Sequence, residues 1–76
     1  MYLGHNNRLN TYGILEMDLW VVQGLHDKDR VEVSIHGEWE KAWFRKDDKT
    51  CWLESRGEAR TLLVQGNEIE GLKVRI

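Results

Sequence analysis

The stretch Arg-Val-Glu-Val-Ser-Ile-His-Gly-Glu-Trp-Glu-Lys-Ala-Trp-Phe-Arg, residues 30–45, decides the fold of this chain. Val31, Val33 and Ile35 alternate with polar residues, which is the period-two pattern of a strand with one buried face. The dipeptide His36-Gly37 follows at once and favours a tight turn, because glycine adopts a positive φ without steric cost. The stretch therefore predicts a β-hairpin whose return strand covers residues 38–45.

Further short strands are expected on both sides of this hairpin. Four charged residues, 46–49, predict the next turn, and β-prone runs follow at 50–54, 61–64 and 72–76. A first hairpin is expected between Thr11 and Val22. The resulting fold class is all-β, and at this length we expect a five- or six-stranded SH3-like barrel over residues 9–76. Residues 1–8, rich in Asn, Gly and His, are expected to be a loosely held N-terminal arm.

Length and charge limit the functions that this domain can perform. The chain has 76 residues, no proline and a net charge of −2, which predicts one small domain without a large enclosed cleft. A negative net charge does not favour nucleic acid as the default partner. The longest apolar run, 19–22, is far shorter than a membrane span, and the single cysteine agrees with a reducing compartment. We expect a cytoplasmic protein with no membrane partner.

The residue types that carry catalysis or metal binding do not form a motif in this sequence. The histidines and the cysteine, His5, His26, His36 and Cys51, lack the short spacings of a zinc site. No serine or cysteine has a nucleophile motif around it, and no glycine-rich phosphate loop occurs. We therefore expect a protein that is not an enzyme, with no catalytic residue, no metal site and no cofactor.

Four tryptophans in so short a chain are the unusual feature. Without a bulge, alternation places Trp39, Lys41, Trp43 and Arg45 on one face of their strand and Phe44 on the other. Tryptophan and arginine are enriched in the energetic centres of protein interfaces. The predicted binding residues are Trp39, Lys41, Trp43, Phe44, Arg45 and Trp52. The alternative is structural: Trp39 and Trp52 fill the core and Trp43 packs under the N-terminal arm.

Several short motifs resemble a known family from about residue 13 onward. They are Val31-Glu32-Val33 with Gly37-Glu38-Trp39, the pair Trp52-Leu53 after a charged turn, and Leu72-Lys73-Val74-Arg75-Ile76 after Glu70-Gly71. In order and spacing these motifs resemble an uncharacterised family of small β-domains from Gram-positive bacteria and their plasmids, phages and mobile elements. The resemblance implies a mobile-element origin and a small β-fold, and it implies no chemistry.

These observations predict a non-catalytic module that binds another protein through residues 31–54. Small size and the resemblance suggest a specific form of this function: inhibition of a host defence nuclease, in the anti-CRISPR or anti-restriction manner. Two other classes stay open. One is a nucleic-acid-associated accessory module of plasmid or phage maintenance, in which the aromatic and basic side chains stack on bases. The other is a self-associating structural protein, in which the surplus aromatics form a homodimer interface.

Overall fold

A computed structural model describes residues 1–57 and 59–76, and these form eight β-strands and one 3₁₀ turn, Gly66–Ile69. The strands are β1 (Tyr2–Asn6), β2 (Thr11–Glu16), β3 (Leu19–Val22), β4 (Asp29–Ile35), β5 (Glu38–Lys46), β6 (Cys51–Ser55), β7 (Leu62–Gln65) and β8 (Val74–Arg75). They make two antiparallel sheets, one with the order β1-β2-β3 and one with the order β7-β6-β5-β4-β8. The all-β class is confirmed.

The hairpin of β4 and β5 has the register that its sequence predicts. Pairing runs without a shift from Asp29 opposite Phe44 to Ile35 opposite Glu38. The turn consists of His36 with φ 53° and Gly37 with φ 81°, and two positive φ angles are those of the type I′ turn that matches strand twist. The predicted hairpin is therefore confirmed, including its two-residue turn.

The core lies between the two sheets, and alternation along β4 and β5 builds the part that the larger sheet contributes. From the larger sheet, Val31, Val33, Ala42, Phe44 and Leu53 point inward, and each is at most 1% exposed. From the smaller sheet and the C-terminal segment, the core receives Leu3, Ile14, Ile69 and Val74. Burial of these apolar side chains, at about 25 cal/mol per Å² removed from water, is the main favourable contribution to folding.

The expectation of a loosely held arm is wrong for Tyr2–Asn6, which forms β1. This strand pairs with β2 from Tyr2 opposite Leu15 to Asn6 opposite Thr11. Its other edge meets the C-terminal segment, because the Leu3 N–H donates to Leu72 O at 2.8 Å and the Gly71 N–H donates to Leu3 O at 2.8 Å. The pairing with β2 is a local hairpin, whereas the partners at Gly71 and Leu72 are distant in the chain and leave no signal in the composition of residues 1–8.

The strand count and the closure of the sheets differ from the predicted five- or six-stranded barrel. The two sheets meet at a bridge between Tyr2 and Lys73, so β1 and the C-terminal segment join them. Within residues 1–57 and 59–76, no pairing joins β3 to β7, and the sheets stay open at these two edges. None of the helical segments in this part of the chain has the length and apolarity that a membrane span requires.

Gly13 in β2 is placed where a side chain would meet β3. A Cβ atom at this position would contact Val22 O, and would lie 2.6 Å from Gln23 O and 2.8 Å from the Trp20 ring. We expect Gly13→Ala to destabilise the protein by about 1–3 kcal/mol, because backbone oxygens cannot move aside as a flexible side chain can. Thermal unfolding measures this, with Gly57→Ala as the control, since its Cβ would meet only Ser55 Oγ at 3.3 Å. Equal melting temperatures for the two variants would contradict the close approach of β3.

Candidate functional site

The outward-facing side chains of the larger sheet form the candidate site. Strand β5 carries no bulge, so its residues alternate as the sequence predicts, with Ala42 and Phe44 buried and the residues between them outside. Cross-strand pairing places Trp52 beside Arg45 and Glu54 beside Trp43 on the same side. We call this surface the outer face; its members are Arg30, Glu32, Trp39, Lys41, Trp43, Arg45, Trp52, Glu54, Arg56 and Arg75.

The structure brings five of the six predicted binding residues together on the outer face. Phe44 is the exception, since it is 0% exposed and packs edge-on against Tyr12 with 6.5 Å between ring centroids. Its prediction as a binding residue is wrong, because alternation turns it into the core. The structural alternative for Trp39 and Trp52 is also wrong: Trp39 is 42% exposed, and Trp52 lies half-buried on the outer face.

Each tryptophan of the outer face lies against at least one arginine. The guanidinium carbon of Arg75 lies 4.2 Å from the centroid of the Trp39 ring, and that of Arg45 lies 5.5 Å from the Trp52 ring. Trp43 has two such neighbours, Arg30 at 5.3 Å and Arg56 at 5.8 Å. Contacts of this kind contribute about 0.5–1 kcal/mol each at exposed sites. They hold the indole rings in place before any partner arrives.

Both carboxylates of the outer face are already paired. Glu54 accepts from Arg45 Nη1 at 3.3 Å and from the indole N–H of Trp52 at 3.3 Å. Glu32 lies 3.4 Å from Arg75 Nε. By contrast, Arg30, Lys41 and Arg56 have no carboxylate within ion-pair distance among residues 1–57 and 59–76. On the outer face, the cations that the described chain leaves without an ion-paired carboxylate are therefore Arg30, Lys41 and Arg56, and two of them, Arg30 and Arg56, lie against Trp43.

The acidic residues that alternate with these cations in the sequence lie elsewhere in the fold. Glu40 is opposite Val33 and Glu38 is opposite Ile35. Because opposed residues share a face of the sheet, both glutamates lie on the face that carries the core and not on the outer face. Asp47 and Asp48 belong to the turn after β5 and line a hollow with Tyr12 of the smaller sheet. These four acidic residues therefore do not offset the cations of the outer face, where five cations and two carboxylates lie among the described residues.

A shallow hollow of about 220 Å³ opens beside Trp43. Its lining residues are Lys28, Trp43, Arg45, Glu54 and Arg60. Three cations and an indole ring surround one carboxylate, and that carboxylate is bonded to Arg45. The hollow is suited to a ligand that has a small anionic group and an apolar or planar portion that can pack against the Trp43 ring.

Asp27 holds the side chain of Arg45 in position on the outer face. Its Oδ1 accepts from the Lys46 backbone N–H at 3.0 Å and from Arg45 Nε at 2.9 Å. These two hydrogen bonds, the backbone one first, lower the pKa of the Asp27 carboxyl below its usual value. Both Asp27 and Glu54 hold the guanidinium of Arg45, which lies over the Trp52 ring.

Sequence reasoning missed the arginines that come from outside β5. Arg30 lies directly opposite Trp43 in the β4–β5 register, and the same alternation that placed Val31 inside could have placed Arg30 outside. Arg56 directly follows β6, and Arg75 lies in β8 opposite Glu32. Their positions depend on pairings that no local pattern reveals. No family profile, curated protein or solved structure matches the chain, and the assignment of a function therefore rests on this geometry.

Asp27→Asn tests the clamp on Arg45 through its pH dependence. A carboxyl whose pKa is lowered in the folded state stabilises the protein above its unfolded pKa of about 4, and this contribution disappears as the pH falls through the folded pKa. We expect the variant to melt below wild type at pH 7, and the difference to shrink as the pH falls below about 4 and the wild-type carboxyl becomes protonated. Asp48→Asn, in an exposed turn, is the control. A difference that stays constant with pH would contradict the assignment.

Proposed function

We propose that this protein is a non-catalytic binding module that contacts an acidic surface of another protein through the outer face. The observation that carries the proposal is the environment of Trp43. Arg30 and Arg56 lie against its ring, and neither has an ion-pair partner in the described chain. An aromatic anchor beside uncompensated guanidinium groups is the chemistry that recognises carboxylates next to apolar side chains.

Preorganisation supports this function. A side chain that is ordered only on binding loses about 0.5–1.5 kcal/mol of affinity. The three outer-face tryptophans are held by arginines at 4.2–5.8 Å and stand on paired strands without a register shift between β4 and β5. The surface therefore meets its partner with little entropic loss, which favours a direct and rigid docking mode.

The proposal extends to the source of the protein, its location in the cell and its fold subtype. We propose a cytoplasmic protein of a mobile element or phage, a partly open relative of SH3-like barrels, that inhibits a host defence nuclease. The basic outer face does not imitate the phosphate backbone of DNA. Inhibition would accordingly proceed by covering an acidic protein surface of the nuclease, such as carboxylates that hold its metal ions, and not by mimicry of its substrate.

Charge reversal on the outer face tests the proposal. Wild type, Arg30→Glu and Trp43→Ala are immobilised and exposed to nuclease-treated host lysate, and retained proteins are identified by mass spectrometry. We expect a partner that wild type retains and that both variants lose by at least about tenfold, as hot-spot substitutions do. Lys49→Glu makes the same charge change in the exposed turn after β5 and should retain the partner.

Thermal melts of all four proteins separate loss of binding from loss of folding. Arg30 is exposed, so its substitution should leave the melting temperature within a few degrees of wild type. Equal retention by wild type, Arg30→Glu and Trp43→Ala would contradict the outer face as the binding surface. Retention of no protein at all would contradict a protein partner.

Single-stranded nucleic acid is the second candidate, because the structure segregates charge in a way that the sequence conceals. Among residues 1–57 and 59–76, three tryptophans and five cations share one sheet face with two carboxylates, both ion-paired. Bases stack on indole rings and on guanidinium planes, and cations beside them meet phosphates. The same face thus offers the two contacts that sequence-independent strand binding requires.

A salt titration decides this second candidate. Fluorescence anisotropy of labelled oligothymidylate of about 20 nucleotides measures binding over a range of salt concentrations. If Arg30, Lys41 and Arg56 each meet one phosphate, log K should fall with log salt at a slope of about −2, since single strands contribute about −0.7 per contact. Arg30→Glu should make the slope shallower, and Lys49→Glu should not. No anisotropy change at low salt would exclude strand binding.

A further inference from the structure

Strand β3 is an edge of the smaller sheet, and nothing in residues 1–57 or 59–76 pairs with its outer side. It carries no charged residue, and its side chains face water to an unusual degree: Leu19 is 72% exposed and Val21 is 50% exposed. Edge strands normally carry charges, proline, a bulge or a covering loop, because their free backbone groups pair readily with other chains. Of these devices β3 has one, a bulge at Val21 in its pairing with β2.

The two ends of β3 carry opposite charges. At its start, Asp18 lies in the two-residue turn from β2, where Met17 and Asp18 have φ values of 51° and 63°. At its end, Gln23 accepts a hydrogen bond from Arg8 Nη2 at 2.9 Å, which holds a guanidinium beside the strand. Asp18 and Gln23 are separated by five residues of extended chain, roughly 16 Å, so this carboxylate and this guanidinium do not pair within one molecule.

We propose that β3 pairs antiparallel with β3 of a second copy of this chain, around a two-fold axis between Trp20 and Val21. Leu19 and Val22 pair with Glu16 and Ile14, two residues apart on β2, so the bulge at Val21 gives them the same phase. In this register Leu19 therefore faces Val22 of the other copy, with Trp20 and Val21 of both copies between them, and apolar side chains meet apolar side chains. Asp18 of each copy comes opposite Gln23 of the other, and therefore beside the guanidinium that Gln23 holds. The isologous pairing thus satisfies the free backbone edge and two charge pairs at once.

The extent of the contact indicates how tight the dimer is. Two four-residue strands bury much less than the 1,200 Å² or so of a standard stable interface. The bulge at Val21 also interrupts the straight edge. The dimer should therefore dissociate on dilution, and its population should rise steeply with concentration.

Sedimentation velocity between about 10 μM and about 1 mM tests the pairing. We expect a monomer of 9.0 kDa at the low end and a shift toward twice that mass at the high end. Leu19→Lys, at an exposed position, should keep the protein monomeric throughout, because lysine on an edge opposes pairing. Leu62→Lys is the matched control: Leu62 is 54% exposed on β7, the free edge of the other sheet, and its substitution should leave the dimer intact.

Charge exchange tests the register. Arg8→Glu and Asp18→Lys should each weaken the dimer, and the double variant should restore it, which a contact within one molecule would not do across roughly 16 Å. A wild-type monomer at every concentration overturns the proposal. So does a dimer that Leu62→Lys abolishes, or one that the double variant fails to restore. Because β3 and the outer face lie on different sheets, failure here leaves the proposed function untouched, and the reverse also holds.

Discussion

The unbroken register across β4, β5 and β6 is the constraint on which the rest of the structure depends. It places each side chain of the central strand β5 either on the core face or on the outer face, and a slip of the register by one residue would exchange the two sets. In the observed phase, Ala42 and Phe44 meet Val31 and Leu53 inside the protein. The same phase turns Trp43 to the opposite side. The same strand register therefore determines both the core and the candidate site, and a change of register would alter both.

The arginines explain how a small domain keeps large aromatic rings on its surface. A guanidinium over an indole covers apolar area while its own charge stays in water. Arg45 shows the full arrangement, since it lies over Trp52 and binds both Asp27 and Glu54. Arg30 and Arg56 have only the first of these contacts, because they lie over Trp43 without an acidic partner in the described chain. For this reason we place Trp43, rather than Trp52, at the centre of the proposed binding surface.

Local patterns predicted the parts of the fold that local contacts build. Alternation in β4 and the His36-Gly37 turn placed the central hairpin correctly. The same alternation should have removed Phe44 from the predicted binding residues, since it assigns that ring and Trp43 to opposite faces. Strand β1 was beyond such reasoning: its place depends on the bonds of Leu3 to Leu72 and Gly71, almost a full chain length away.

The distribution of charge over the surface is the property that the order of residues in the sequence predicts least well. Along residues 38–49, four acidic and four basic residues are interleaved and their charges sum to zero, and the whole chain carries a net charge of −2. Folding sorts them, because Lys41 and Arg45 have the phase of the outer face whereas Glu40 has the phase of Val33. The acidic turn at Asp47 and Asp48 is carried toward the smaller sheet. The anionic partner that we propose would respond to the local field of the outer face, and this field would orient its approach even though the molecule as a whole is negative.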